Sequence, residues 1–181
     1  MRIVSVGATD DQPMEQMARL LLDGFTNTSP EAWTNLAEAR ETVGEVLSTG
    51  FARAAVDEAG TVVGWIGGLP EYDGHVWELH PLVVSPAQQG QGIGRQLVLD
   101  FEDQVRSRGG LTVILGSDDE SGLTTLSGVN LYDDLPAKIA QARGFRPHPL
   151  EFYRALGYTI VGVIPDANGV GKPDIILAKR M

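Results

Sequence analysis

The period of apolar positions changes several times along the chain, and each change marks an element. Arg2 to Val6 alternates polar and apolar residues, the period of a half-buried strand. Asp10 and Asp11 can cap a helix whose first turn holds Pro13, and Met14, Met17, Ala18, Leu21, Leu22 and Phe25 then follow helical spacing. Ser29-Pro30 predicts a second helix start, continued on one face by Trp33, Leu36, Val43 and Leu47. Phe51 to Asp57 and Thr61 to Gly68 read as strands joined by the tight Glu58-Ala59-Gly60 turn. After a polar loop (Glu71, Tyr72, Asp73, Gly74), His75 to Val84 is a third strand-like run. It contains Pro81, which has no ladder N–H and predicts a bulge, a bend or an edge. Ile93, Leu97, Val98, Phe101 and Val105 then lie on one helical face that stops at Gly109-Gly110, and Leu111 to Leu115 is strand again.

The C-terminal part reads as a polar loop from Gly116 to Asn130, followed by a weakly patterned helix from Leu131 to Arg143 with Pro136 near its start. A short helix from Pro149 to Leu156 is closed by Gly157. Two last strands, Tyr158 to Ile164 and Asp174 to Lys179, are joined by the turn-rich Asp166 to Pro173. No repeat, low-complexity tract or linker cuts the chain. Strands and helices mix without strict alternation, so the expected fold class is α/β, a mixed sheet with helices on both faces, in one domain over 1–181.

Composition narrows the function. The chain has 181 residues, of which 43% are apolar and 21% charged, enough to form a core without a staple. It has no cysteine, which excludes a disulfide framework, a thiolate metal site and a cysteine nucleophile. Lys and Arg number 14 against 24 Asp and Glu, a net charge of −10. Nucleic acid is therefore not an expected partner, whereas a cationic partner, or simply a soluble surface, fits. The histidines, His75, His80 and His148, form no metal-ligand spacing, and no metal is expected. Met1 to Asp11 holds one arginine and no apolar stretch of a signal peptide, and no run approaches the ~18 apolar residues of a membrane span. The expectation is a soluble, cytoplasmic protein with no membrane partner. Asn27-Thr28-Ser29 matches a glycosylation triplet that has no meaning without export.

The segment from Val83 to Arg95 carries the most chemistry: strand, glycine loop, helix. Closely spaced glycines at a helix start let backbone N–H groups approach an anion, although the same pattern also serves as an ordinary turn. It is not a P-loop, because Gly94 is followed by Arg95 and Gln96. Nor is it a dinucleotide fingerprint, because Arg95 stands where the third glycine belongs. Gln89-x-x-Gly92-x-Gly94 resembles the pyrophosphate loop of the GNAT acyltransferases. Glu151-Phe152-Tyr153-Arg154-Ala155-Leu156-Gly157-Tyr158 is similar to their later FY-x-x-x-GY segment. Trp77-Glu78-Leu79-His80-Pro81-Leu82-Val83-Val84 resembles one branch, the aminoglycoside 6'-N-acetyltransferases. So do Ser107-Arg108-Gly109-Gly110, Gly116-Ser117-Asp118-Asp119, His148-Pro149, Asn168-Gly169 and Lys172-Pro173-Asp174. These blocks run in order from about Trp65 to the C-terminus, whereas the first 50 residues are less diagnostic.

The resemblance implies a GNAT fold, a twisted mixed sheet of about six or seven strands flanked by helices. It implies acetyl transfer from acetyl-CoA to the 6'-amine of aminoglycosides by direct attack in a ternary complex, conferring resistance, in a homodimer. Within that reading Glu78, which shares a strand face with His80, is the candidate base and His80 supports it. The backbone N–H of Leu82 or Val83 stabilises the oxyanion, and Tyr153 is the general acid, a phenol being protonated at neutral pH. Leu82, Val83, Val84, Gln89, Gly90, Gln91, Gly92, Ile93, Gly94, Arg95 and Tyr153 would hold the coenzyme. Gln88, Gln89 and Gln91 stand where Arg or Lys is common in the family. Tyr72, Trp77, Glu78, Asp118, Asp119 and Glu120 would bind the substrate, carboxylates orienting its ammonium groups. Each residue also has a plainer reading. Glu78 could pair with an arginine, and His80 could be a structural hydrogen-bonder. Tyr153 could pack beside Leu150 and Leu156, Trp77 and Tyr72 could be core, and the acidic clusters could be solvated loops. Two other functions fit the same residues: acetylation of a different amine, or a non-catalytic acyl-CoA-binding module, which would need neither Glu78 nor Tyr153.

Overall fold

In the computed structural model, which describes residues 1–25 and 32–181, the chain divides into two units, Met1–Val113 with Met181, and Ile114–Arg180. Ser29-Pro30 and the Asn27-Thr28-Ser29 triplet lie outside the described residues. The first unit holds four strands, β1 (Arg2–Val6), β2 (Phe51–Val56), β3 (Val62–Glu71) and β4 (Val76–Val84), each paired antiparallel with the next. Three helices pack on them: α1 (Asp11–Phe25), α2 (Leu36–Thr49) and α3 (Ile93–Ser107).

Adjacent residues of β3 face opposite sides, and the two helix layers show it. A Cβ on Gly67 would lie 2.8 Å from Val46 of α2, and one on Gly68 would lie 2.5 Å from the Phe101 ring of α3. Helices therefore cover both faces of this sheet, as the pattern predicts. On one face Met17, Leu21, Ala39 and Val43 bury against Ala54 and Trp65. The Trp65 indole satisfies its N–H on the Met17 carbonyl at 3.1 Å. On the other face Phe51 stacks on Phe101, with centroids 5.3 Å apart, and meets Trp77 at 5.2 Å. The Arg53 guanidinium on β2 grips Asp100 of α3 through two bonds of 2.6 and 3.0 Å, tying strand to helix.

The second described helix begins later than Ser29-Pro30 predicts, and its cap explains why. The Asn35 side chain accepts the Ala37 and Glu38 amides at 2.9 and 3.1 Å. Glu38 returns to the Thr34 hydroxyl and amide, both at 2.8 Å. Those bonds, the hydroxyl's first, hold the Glu38 carboxyl below its ordinary value. With the orphan amides satisfied there, α2 starts at Leu36 and leaves Trp33 outside the helix.

The boundary between the units falls inside β5 (Thr112–Asp118). The second unit continues with α4 (Leu135–Ala140), α5 (Leu150–Ala155), β6 (Thr159–Ile164) and β7 (Asp174–Arg180), in the strand order β5-β7-β6. Here β5 runs beyond Leu115. Burial keeps alternating through Val113, Leu115 and Ser117, and the Ser117 amide donates to Asp174 at 2.8 Å. Conversely, α4 is shorter than the Leu131–Arg143 span. Asp134 takes a positive φ of 52° just ahead of Leu135-Pro136, so the helix cannot begin before that turn.

Two substitutions check this packing by chemical denaturation. Phe101→Ala, emptying a fully buried stacked site, lowers stability by ~3–5 kcal/mol. Asn35→Ala, removing the cap, lowers it by ~1 kcal/mol.

Candidate active site

Burial alternates without a break along β4. Trp77, Leu79, Pro81 and Val83 are buried, while Glu78, His80, Leu82 and Val84 are half-buried on the other face. The pairing register, however, does break. Leu79 faces Gly68 and Leu82 faces Ile66, so His80 and Pro81 stand opposite Gly67 alone. This is the bulge that Pro81 predicts. Beyond it the Ser85 amide donates to the Val63 carbonyl at 2.9 Å. Antiparallel bonds alternate along a strand, so Val83 also points its N–H at β3, whereas Leu82 and Val84 point theirs away. Of the two amides that sequence reasoning leaves open, Leu82 is the one turned away from β3. On the same face Glu78 makes no hydrogen bond or ion pair with any described residue, and the arginine pair that would have neutralised it is not formed among them. The His80 ring lies 6.2 Å from the Trp33 ring.

The glycine loop comes directly after β4. Gly90 and Gly92 take φ of 76° and 82°, a conformation open to glycine and strained for other residues. Space is not the constraint, because a Cβ at either position would meet nothing within 4 Å. The left-handed Gly92 precedes α3, whose N-terminus has no side-chain cap and no acidic residue in its first turn. Its first amides therefore have no side-chain acceptor among the described residues and lie in the positive field of the helix dipole. Ile93 is buried and anchors the turn. Gln89 holds the loop to β4 through the Val84 carbonyl at 3.1 Å, while Gln91, Gly92 and Arg95 are exposed and Gly94 is half-buried. This set suits a pyrophosphate: backbone amides and dipole supply the attraction, and Arg95 is the loop's own cation.

Tyr72 and Trp77 part company. Tyr72 and Asp73 take positive φ of 49° and 57° ahead of Gly74 at 81°, a turn that leaves Tyr72 74% exposed. Trp77 does not offer a surface for sugar stacking, contrary to expectation. It lies on the buried side of β4 against Phe51, and its indole N–H donates to the Gly74 carbonyl at 3.1 Å.

Within the second unit, Asp118, Asp119 and Glu120 end β5 and begin the next loop. Asp118 is exposed, accepts a hydrogen bond from the Asn168 side-chain amide, and is thereby fixed in place. Glu120 is half-buried without a hydrogen bond to any described residue. Asp119 corrects the expectation of a substrate-facing carboxylate. It is 1% exposed, and its two oxygens accept the Leu123 and Thr124 amides at 2.7 and 2.8 Å, so it builds the loop. Tyr153 sits on α5, its ring edge-on to Phe152 and Tyr158 at 5.0 and 5.6 Å. Burial pushes its phenol pKa well above the usual value, so the hydroxyl keeps its proton. Sequence reasoning assigned no role to Asn168 or His148. Their signals were the Asn-Gly turn and the His-Pro pair ahead of a short helix. Among the described residues no group of acidic and histidine side chains could hold a metal ion, and no helix is long and apolar enough to cross a membrane.

This geometry belongs to a known class. The profile of the acetyltransferase (GNAT) family matches residues 14–123, and the chain belongs to that family. It is an acetyltransferase with a mixed seven-stranded sheet of the GNAT fold. Among solved structures it is similar to an aminoglycoside 6'-N-acetyltransferase complexed with coenzyme A. Identity is 42%, coverage is 99% of this chain and 97% of that one, and the TM-score is 0.89. An aminoglycoside 6'-N-acetyltransferase from Enterococcus faecium is 40% identical over the same shares, with TM-score 0.88. An aminoglycoside 6'-acetyltransferase type Ii is 35% identical, again over 99% and 97%, with TM-score 0.75. No match was found among curated protein sequences.

The neighbouring aspartates give a direct check by thermal denaturation. Asp119→Ala strands the buried Thr124 amide and the part-buried Leu123 amide and destabilises by ~1–3 kcal/mol. Asp118→Ala, at an exposed position, stays within ~0.5 kcal/mol of the parent.

Proposed function

We propose that the protein transfers acetyl from acetyl-CoA to the 6'-amine of aminoglycoside antibiotics, by direct attack in a ternary complex, and so confers resistance. The observation that carries this reading is the bulged β4. It carries Glu78, a carboxylate uncommitted among the described residues, and the Leu82 amide turned away from β3, in a chain 35–42% identical to three enzymes of that name. Acetyl-CoA supplies the acetyl group as a thioester. The α3 amides from Ile93 to Arg95, the Gly90–Gly92 turn, Gln89 and Gln91 would hold its pyrophosphate, and Val83 and Val84 its arm. Glu78 takes the proton from the substrate ammonium; a half-buried carboxylate with no partner among the described residues supports that role. His80 supports the substrate side of Glu78. The Leu82 N–H donates to the carbonyl oxygen as negative charge collects there. Tyr153, held protonated by burial, donates a hydrogen bond to the departing sulfur, and water supplies the proton of the leaving thiol.

Aminoglycosides are polycations, and the chain's −10 charge draws them in. Tyr72, Glu78, Asp118 and Glu120 are the side chains we assign to the substrate. The whole chain acts as one acetyltransferase domain, in the cytoplasm where acetyl-CoA is made. We also assign it a homodimer. In support, β6 ends its sheet with Val161 and Ile164 exposed, an apolar edge that proteins seldom leave bare.

Thiol release from acetyl-CoA with a matched pair of aminoglycosides, one bearing a 6'-amine and one a 6'-hydroxyl, tests the reading. Release is expected with the amine alone. Glu78→Gln then lowers kcat by about 100-fold or more, and Tyr153→Phe by about 10- to 100-fold. Coenzyme binding without thiol release from either compound would overturn the assignment.

A further inference from the structure

Tyr153 rides on a helix of six residues, Leu150–Ala155. So short a helix has no stability of its own and keeps its orientation through its buried side chains, Leu150 and Tyr153, and through bonds to its surroundings. Its C-terminal end is closed by the Leu156 and Tyr158 amides on the Tyr153 carbonyl, at 3.0 and 3.1 Å, with Gly157 at φ 91°. Its middle is tied down by Arg154, which donates to the Ala142 carbonyl at 2.6 Å, and by Glu151, which accepts the Gly144 amide at 3.0 Å. The N-terminal end is different. The residue preceding the helix is Pro149, which offers no cap, and the Leu150 amide donates instead to Nδ1 of His148 at 3.1 Å. His148 is in turn fixed by its own amide on the Phe145 carbonyl at 2.9 Å.

We infer that neutral His148 is a positioning residue for the acetyl-transfer reaction: its unprotonated Nδ1 sets the start of α5 and so places Tyr153. The inference rests on the assignment of Tyr153 as the donor to sulfur. A ring nitrogen that accepts an N–H bond carries no proton, so the neutral ring holds its proton on Nε2. Adding a proton to Nδ1 turns the acceptor into a donor facing another donor, and the Leu150 amide is released. The surroundings resist that proton. His148 is only 9% exposed, and Nε2 is buried without a hydrogen-bond partner of normal geometry. Burial pulls the pKa below 6.5, against the opposing charge of Asp119 and the main chain and charge of Asp118. Asp119 already spends both oxygens on the Leu123 and Thr124 amides, and Asp118 spends one on Asn168. With a folded pKa below the unfolded one, the contribution to stability is complete above about pH 6.5 and is lost as pH falls below it toward the folded value.

The test compares His148→Asn with His148→Leu. Asn Oδ1 reaches about as far as Nδ1, accepts the same amide and does not titrate. Leu keeps bulk without an acceptor. At pH 7.5 His148→Asn is expected to hold kcat within about threefold of the parent. His148→Leu loses about 10- to 100-fold in kcat, with KM for both substrates moved less than about threefold. Below pH 6.5 the parent loses kcat relative to His148→Asn. Without any ligand, the parent's Tm also falls relative to that of His148→Asn over the same range. An Asn variant as damaged as the Leu variant, or one that follows the parent's pH profiles, overturns the inference. Tyr153→Phe run in parallel separates the two claims. Full kcat in that variant refutes the Tyr153 assignment, and the ligand-free Tm profile then decides whether His148 holds α5.

Discussion

A proline inside a paired strand forces the ladder to give way, and in this protein everything at the proposed reaction centre depends on where it gives way. Pro81 has no N–H for β3, so His80 and Pro81 together span one residue of the partner strand, Gly67. The approach is close enough that a Cβ on Gly67 would stand 2.3 Å from the His80 carbonyl oxygen. Glycine at that point is therefore a condition of the bulge. The strand then resumes with the Leu82 amide turned away from β3 and with Glu78 still on the half-buried face. Helices pack on both sides of the sheet through Val46 and Phe101, so this irregular stretch is held by a rigid frame. A backbone donor needs such a frame if it is to meet a developing charge without reorganising.

The same frame decides which polar groups remain available. Arg53, the basic residue of β2, is consumed by Asp100, and Asp119 and Trp77 are consumed by loop and turn amides or carbonyls. Glu78, Arg95 and the first amides of α3 are left uncommitted by the described residues. A half-buried carboxylate without a partner opposes folding, since burial costs it hydration that no protein bond returns. Groups of this kind persist where another molecule supplies the missing partner. The charges divide accordingly: within the first unit the uncapped helix terminus and Arg95 suit an anion, while Glu78 suits a cation.

Much of this was legible in the chain itself. Period-2 and helical spacing located the strands and long helices within a few residues, because each buries one face and the sequence must show it. The bulge was legible because proline's missing donor is a covalent fact. Two corrections were also within reach of the same rule. Trp77 shares its strand face with Leu79 and Val83, and Asp119 continues the row Val113, Leu115, Ser117. Alternation alone places both among buried neighbours. The start of α2 was harder, because two caps compete in that region and the reciprocal bonds of Asn35, Thr34 and Glu38 decide it. His148 was legible only as a His-Pro pair ahead of a short helix, without its role. Its burial and its bond to Leu150 arise from how the loop around it folds, and no local pattern encodes that.

The raised pKa of Tyr153 narrows what it can contribute. A thiol ionises near ~8.5, well below the value at which this buried phenol gives up its proton. A leaving thiolate is therefore a weaker base than the phenolate, and complete transfer from Tyr153 runs uphill. Negative charge gathering on a nearby sulfur would hold the phenolic proton more firmly still. What the phenol can offer without that penalty is a hydrogen bond, strengthening as charge moves onto sulfur and C–S bonding fails. The last proton then comes from water as the thiol departs. Direction, more than acidity, is the property such a donor must have. A hydrogen bond weakens steeply with misalignment, which is why the anchoring of a six-residue helix bears on the chemistry at Tyr153.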